Sequence, residues 1–214
     1  MLVLGLVLTI AQPAAAPPGA LRVRASAALV RCTAAAARAY RAATGARVEV
    51  DAGPLREGPD ADVLVGFGLE MTRAVESGAA VDRTDTDLAR VPWVLWRREG
   101  GTAGARSLAE LSAAGVEVWA LDGAAAAELR RALEGHAAPR LRVSDAAGLG
   151  QAPAALVPLS AAGAGERHAV DLPALVARAA VAAASRRPED ARALVGFLAS
   201  EAGQAAFAAC EEAP

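Results

Sequence analysis

The sequence predicts an α/β fold with mostly parallel sheets, because short apolar segments typical of strands alternate with segments of helical periodicity. The run at residues 61–67 is apolar throughout, as in a strand that is covered on both faces of a sheet. Composition is a further indication, since 54% of the 214 residues are hydrophobic but only 3% are aromatic. Alanine, valine and leucine must therefore build a core in which helices lie close to the sheets.

The elements follow one another along the chain with recognisable boundaries. Segments with strand patterns lie at residues 21–26, 47–51, 61–67, 92–97, 116–121, 141–143, 155–159 and 177–185. Segments with helical patterns lie at residues 29–44, 69–77, 124–133, 186–198 and from 200 onward, and a further short helix starts at residue 107. Gly45 and Gly78 are typical of helix ends, Ser107 with Glu110 is a capping box, and Pro188 suits a first helical turn.

The N-terminus has the pattern of an export signal. Residues 2–11 are largely apolar and an alanine triplet at 14–16 fits a cleavage site, so residues 1–16 are predicted to be a signal peptide. We therefore expect a periplasmic or secreted protein. In an oxidising compartment Cys32 and Cys210, the two cysteines, could form a disulfide, whereas the alternative is two unpaired thiols.

Composition and motifs exclude several classes of function. The formal net charge is −2, and all 22 basic residues are arginine, so no excess of positive charge attracts nucleic acid. Neither Gly-x-Ser-x-Gly nor His-Glu-x-x-His occurs, and no nucleophile, base and orienting group can be named together. Two cysteines without nearby histidines do not make a zinc site. We therefore predict a protein that is not an enzyme and has neither a catalytic residue, a metal nor a cofactor.

The C-terminal run RAAVAAASRRPEDARALVGFLASEAGQAAF resembles the final strand and two helices of bacterial extracellular solute-binding proteins, particularly the molybdate-binding group. The runs LRVRASAALVRCTAAAARAYRAATGARVEV, GPDADVLVGFGLEMTRAVESGAAVD and SLAELSAAGVEVWALDGAAAAELRRAL are similar to earlier segments of that family, in the correct order. The resemblance implies a two-lobed, periplasmic-binding-protein-like (type II) fold. Lobe 1 would hold residues 20–91 and 178–214, and lobe 2 would hold residues 92–177.

The same resemblance implies a monomeric receptor that captures a small anionic solute between its lobes and delivers it to an ABC permease at the membrane. The unpaired N–H groups of helix N-termini bind such an oxyanion without any cationic side chain. Three helix starts could contribute in this way. Their residues are the candidate ligand-binding set: Ser26, Ala27, Ala28, Gly66, Phe67, Gly123, Ala124 and Ala125.

The sequence also departs from the family it resembles. Ala28 falls where the family has its first ligand serine, and Pro158 falls where it has a ligand tyrosine. Each hydroxyl lost from a buried oxyanion site costs roughly 1.5 to 3 kcal/mol unless water substitutes. An alternative prediction is therefore a degenerate homologue that binds no ligand and acts as a sensor or a protein-interaction module.

Overall fold

The structure is a computed structural model that describes residues 19–57, 60–97, 107–113, 117–121, 123–134, 140–144, 152, 154–162 and 164–212. The predicted signal peptide at residues 1–16 lies outside the described residues. The described strands are β1 (Leu21–Ala25), β2 (Val48–Ala52), β3 (Val63–Phe67), β4 (Thr86–Val91), β5 (Trp93–Arg97), β6 (Glu117–Leu121), β7 (Arg140–Ser144), β8 (Ala154–Pro158), β9 (Glu166–Ala169) and β10 (Leu175–Val181). The described α-helices are α1 (Val30–Thr44), α2 (Gly68–Glu76), α3 (Leu108–Ala113), α4 (Ala124–Ala132), α5 (Pro188–Ala199) and α6 (Glu201–Glu212).

The strands form two sheets, and we call the parts of the molecule built on them lobe 1 and lobe 2. The sheet of lobe 1 has the order β2-β1-β3-β10-β4, and the sheet of lobe 2 has the order β7-β6-β8-β5-β9. The chain passes from lobe 1 to lobe 2 between β4 and β5 and returns between β9 and β10. These two crossings make an α/β fold with two lobes.

The prediction of mostly parallel sheets is only partly correct. Pairs β1/β2, β1/β3, β6/β7 and β6/β8 are parallel. The antiparallel pairs all contain β5 or β10, which pair with β8 and β9 and with β3 and β4 respectively. Both strands directly follow a passage between the lobes, so they enter their sheets without a crossover helix that would set a parallel direction.

Helices cover both faces of the lobe 1 sheet, which explains why β3 is apolar throughout. Every residue of β3 is buried. Val63 and Val65 belong to the larger core beneath α1, α5 and α6, whereas Leu64 belongs to a second core beneath α2 with Met71 and Ala180. The alternation of side chains along a strand distributes them between the two cores.

Local signals in the sequence set several helix boundaries. Gly45 follows α1 with a φ of 75°, a left-handed conformation that favours glycine. Ser107 caps α3, because its Oγ accepts the N–H of Glu110 at 3.2 Å. Ser200 caps α6 in the same way, accepting the N–H of Gly203 at 3.3 Å. Pro188 occupies the first turn of α5.

A disulfide bond joins Cys32 of α1 to Cys210 of α6. The two Cα atoms lie 5.2 Å apart, and the bond closes a sequence separation of 178 residues. Cys32 is completely buried and Cys210 is 8% exposed. The alternative that the sequence left open, two unpaired thiols, is therefore not what the structure contains.

Replacing either of two glycines near the C-terminus with alanine should change the stability of the protein, in opposite directions. A Cβ on Gly203 would lie 2.7 Å from the Leu198 carbonyl oxygen and closer still to that of Phe197, whereas a Cβ on Gly196 would meet nothing within 4 Å. We expect Gly203→Ala to lower the free energy of unfolding by about 1–3 kcal/mol through overpacking. Gly196→Ala, in the interior of α5, should raise it by about 0.5–1 kcal/mol. Urea denaturation of both variants tests the pair, and equal effects would contradict the packing at Gly203.

Among the described residues, no single helix is long and apolar enough to span a membrane. The helices Pro188–Ala199 and Glu201–Cys210 have sufficient length and apolar composition only when taken together, and they are bent by 66° at their junction.

Candidate functional site

A cleft of about 510 Å³ lies where the two lobes meet. Its lobe 1 wall is formed by segments that follow the carboxyl ends of β1, β2 and β3. Because these strands are parallel, their carboxyl ends lie at one edge of the sheet, which is the usual place for a ligand in open α/β sheets. Gly123 and Ala125, next to β6 in lobe 2, line the other side.

Most residues predicted from the three helix starts meet in this cleft. Ser26, Ala27, Ala28, Phe67, Gly123 and Ala125 line it. Gly66 does not line the cleft, although a Cβ on it would lie 3.3 Å from the Ser26 Oγ, and Ala124 is the first residue of α4, between two lining residues. The three segments are separated in sequence by about 40 residues or more, so the fold brings them together.

Glycine has a structural reason at two of these positions. A Cβ on Gly66 would lie 2.6 Å from Leu55 Cδ1 and 2.9 Å from Glu70 Oε2, so a larger residue there would have to displace both side chains. Gly123 has a φ of 73°, which favours glycine directly before α4.

The backbone amides at the start of α1 are not all free to bind an anion. The carbonyl of Ser26 accepts the N–H groups of Leu29 and Val30 at 2.8 and 3.1 Å. Two of the amides near this helix start are therefore already bonded within the chain. The Ser26 hydroxyl, 8% exposed as a residue, donates to the carboxylate of Glu70.

Glu70 is a cleft residue that the sequence analysis did not single out. It lies three residues after Phe67, the N-cap of α2, and its carboxylate accepts the N–H of Phe67 as well as the Ser26 hydroxyl. Burial raises the pKa of Glu70 above its ordinary value, although both hydrogen bonds act in the opposite direction. A glutamate three positions after an N-cap is half of a capping box, and this was the signal that could have found it.

A second carboxylate reaches the same helix from the other lobe. Glu128 of α4 accepts the N–H of Leu69, in the first turn of α2, at 2.8 Å. This bond directly joins lobe 2 to lobe 1 beside the cleft. It also places a negative charge at the positive end of the α2 dipole, which is a favourable arrangement.

The bond between Glu128 and Leu69 predicts that Glu128 holds the lobes together. Hydrogen bonds to charged groups contribute about 1.5–3 kcal/mol, so Glu128→Ala should shift the ligand-free protein toward more open conformations. Small-angle X-ray scattering should then report a larger radius of gyration than for the unchanged protein. Glu134→Ala, an exposed site just past α4, is the matched control. An unchanged radius of gyration in Glu128→Ala would contradict a role of Glu128 in holding the lobes together.

Two arginines supply positive charge to the cleft. Arg56, in a short 3-10 helix at Leu55–Glu57, and Arg73 of α2 both line it and are exposed. Neither forms an ion pair with another described residue. The cleft therefore presents a carboxylate and two guanidinium groups. Among the described residues, no group of three or more His, Cys, Asp or Glu side chains is placed to hold a metal ion.

Several solved structures share the fold at low sequence identity. The periplasmic molybdate-binding protein of Azotobacter vinelandii matches with a TM-score of 0.66 and 14% identity, covering 89% of this chain and 97% of that one. The sulfate-binding protein SubI of Mycobacterium tuberculosis matches with a TM-score of 0.67 and 15% identity, covering 89% and 85%. A periplasmic thiamin binding protein matches with a TM-score of 0.66 and 16% identity, covering 92% and 83%.

Sequence comparison gives the family. None of the curated protein sequences matches the chain. The family model described as bacterial extracellular solute-binding protein matches residues 21–209, which include every described strand and most of the last helix. The chain therefore belongs to the bacterial extracellular solute-binding protein family.

Proposed function

We propose that this protein is an extracytoplasmic receptor that captures a small solute between its lobes and delivers it to an ABC permease. The observation that carries the proposal is the 510 Å³ cleft, to which both lobes contribute residues at the carboxyl ends of their strands. Closure of two lobes around a ligand is a recurring way for such proteins to bind and to signal occupancy. The proposed receptor is periplasmic or secreted, acts as a monomer and catalyses no reaction.

The proposed ligand has an anionic group, as in a small, molybdate-like oxyanion. The cleft lies beside the N-terminal ends of α1, α2 and α4, where helix dipoles favour negative charge. Arg56 and Arg73 add positive charge to the same cavity. The structural neighbours are named for molybdate, sulfate and thiamin, so the shared fold accommodates inorganic anions as well as an organic cation.

A second candidate function is that of a binding-dead homologue serving as a sensor or interaction module. One observation favours it: Glu70 and Glu128 place the chain's own carboxylates at the start of α2, where an oxyanion would otherwise bind. In that case the helix terminus is satisfied internally, and lobe closure needs no solute.

A thermal-shift screen distinguishes the two candidates. The purified protein is heated with molybdate, tungstate, sulfate, phosphate and a set of small organic acids that includes amino acids and aminophosphonates, each over a range of concentrations. A receptor should be stabilised by about 2.7 kcal/mol when the ligand is at one hundred times Kd. A stabilisation that grows with concentration supports the receptor. No stabilisation with any of these solutes would reject the oxyanion receptor in favour of the binding-dead module.

A further inference from the structure

The dimensions of the cleft bear on the class of solute. Pockets for organic small molecules occupy about 300–1,000 Å³. At about 510 Å³ the cleft falls within that range, with room for more than a single tetrahedral oxyanion. A ligand with a carbon skeleton between two polar groups therefore fits the cleft.

The Ser26–Glu70 pair makes one part of the cleft wall an acceptor of hydrogen bonds. A serine hydroxyl has one proton, and that of Ser26 is directed to the Glu70 carboxylate. Ser26 Oγ then offers lone pairs rather than a proton to a ligand. Glu70, when ionised, is acceptor-only and negatively charged. A bare oxyanion placed against this pair would meet repulsion and no donor, whereas an ammonium group would find two acceptors.

The opposite charge is supplied nearby in the same cleft. Arg73 lies one helical turn after Glu70 on α2, and Arg56 follows β2 in the 3-10 helix that packs against α2. Guanidinium groups match carboxylates and phosphonates in charge and in hydrogen-bond geometry. One wall thus carries both an acceptor pair for a cation and donors for an anion.

We propose that the solute is a small organic zwitterion, whose ammonium group lies against Ser26 and Glu70 and whose anionic group lies toward Arg56 and Arg73. This proposal rests on the proposed receptor function and specifies its ligand. The anionic end retains the charge expected of an oxyanion ligand. The ammonium end pairs with Glu70, a half-buried carboxylate that would repel a bare oxyanion.

Matched pairs of probes test the ligand class by isothermal titration calorimetry. The pairs are 2-aminoethylphosphonate with ethylphosphonate and β-alanine with propionate, together with molybdate, phosphate and 1,3-diaminopropane. The member of each pair that carries the amine should bind at least tenfold more tightly than its partner. It should also bind more tightly than the inorganic anions and the diamine.

Conservative variants assign the two ends of the ligand. Glu70→Gln, which keeps the side-chain shape, should remove the preference for the amine within each pair, with folding checked by circular dichroism. Arg56→Ala combined with Arg73→Ala should weaken both members of a pair by a similar factor. Arg38→Ala, an exposed arginine on α1, is the control and should change neither affinity.

The outcomes separate this proposal from the proposed function. Equal binding within each pair, or tighter binding of an inorganic anion or of the diamine, overturns the zwitterion while the receptor stands. A preference for the amine that persists in Glu70→Gln overturns the assigned position of the ammonium group. If no probe binds, the receptor function is rejected and the zwitterion with it.

Discussion

Replacing Asp62 with alanine is expected to lower the free energy of unfolding by about 3–5 kcal/mol, because it removes the carboxylate partner of a partly buried guanidinium and leaves that group with two backbone carbonyls as acceptors. The Asp62 side chain is only 10% exposed and accepts three hydrogen bonds. These come from the N–H of Arg22 at 3.0 Å, the hydroxyl of Ser185 at 2.8 Å and the guanidinium of Arg187 at 3.1 Å. The carboxylate thereby ties the first strand of lobe 1 to the segment that opens α5. Urea denaturation followed by circular dichroism measures the loss.

Asp60 provides the matched control for this prediction. It lies two residues away and pairs with Arg22 at 3.7 Å, but its side chain is 72% exposed. Exposed ion pairs contribute about 0–1 kcal/mol, so Asp60→Ala should have little effect. Similar losses in the two alanine variants would show that Asp62 has no special structural role.

The same carboxylate predicts how stability depends on pH. Burial by itself would raise the pKa of Asp62, but the Arg22 N–H, Ser185 and Arg187 together hold that pKa below its ordinary value of 3.8. The unfolded chain then binds the proton more tightly, so this contribution is present above about pH 4 and is lost as pH falls toward the lowered pKa. Asp62→Asn should flatten the acid limb of the stability curve. An unchanged acid limb would contradict this assignment.

Removing the disulfide should have an effect of similar size. Closure of so long a loop is worth about 3–5 kcal/mol in the chain-entropy model. We expect the Cys32→Ala/Cys210→Ala variant to be less stable by this amount in non-reducing buffer. The bond joins the first helix of lobe 1 to the last, so its loss should loosen the packing of α6 in particular.

Reductant supplies the control for the disulfide prediction. Dithiothreitol should lower the Tm of the unchanged protein toward that of the double variant, and it should leave the double variant unaffected. Equal Tm values for the unchanged protein and the double variant in non-reducing buffer would mean that the bond contributes nothing to stability. Hydrogen exchange in α6 locates the part of the molecule that is released.

The parts of the fold that the sequence predicts well are those with local causes. The Gly45 stop, the Ser107 and Ser200 caps and the first-turn position of Pro188 each depend on a few neighbouring residues. The apolar run at 61–67 likewise predicts a strand that is buried on both faces, and every residue of β3 is buried. Such signals do not depend on the distant partners of an element.

The edge strands and the strand directions, which the sequence did not predict, depend on residues that are distant in the chain. The sequence pattern predicts no strand between residues 67 and 92, because Asp82, Asp85 and Asp87 are typical of a solvated loop, yet β4 begins at Thr86 and pairs only with β10 at the edge of its sheet. There Arg178 of β10 pairs with Asp85 and Asp87 at 3.4 and 2.8 Å. Similarly, β9 is an edge strand without an apolar pattern. Strand direction also depends on how the chain crosses between the lobes.

In the candidate site, too, the features with local causes were predictable and those that depend on distant residues were not. The three helix starts were recognisable from glycine, serine and small-residue patterns, and the fold brings most of them into one cleft. The carboxylates were not recognisable as cleft residues. Glu128 reaches Leu69 across 59 positions, and Glu70 meets Ser26 across 44, so only the tertiary structure brings these groups together.

Binding within the cleft is tested most directly by titration calorimetry with the solute that stabilises the protein most in the thermal-shift screen. Ala27→Trp adds bulk at an exposed position of the cleft wall, and Ala43→Trp adds the same bulk at an exposed position near the end of α1. We predict one-to-one binding to the unchanged protein and to Ala43→Trp, and at least a tenfold weaker interaction with Ala27→Trp. Equal affinity for all three proteins would contradict a solute site between the lobes.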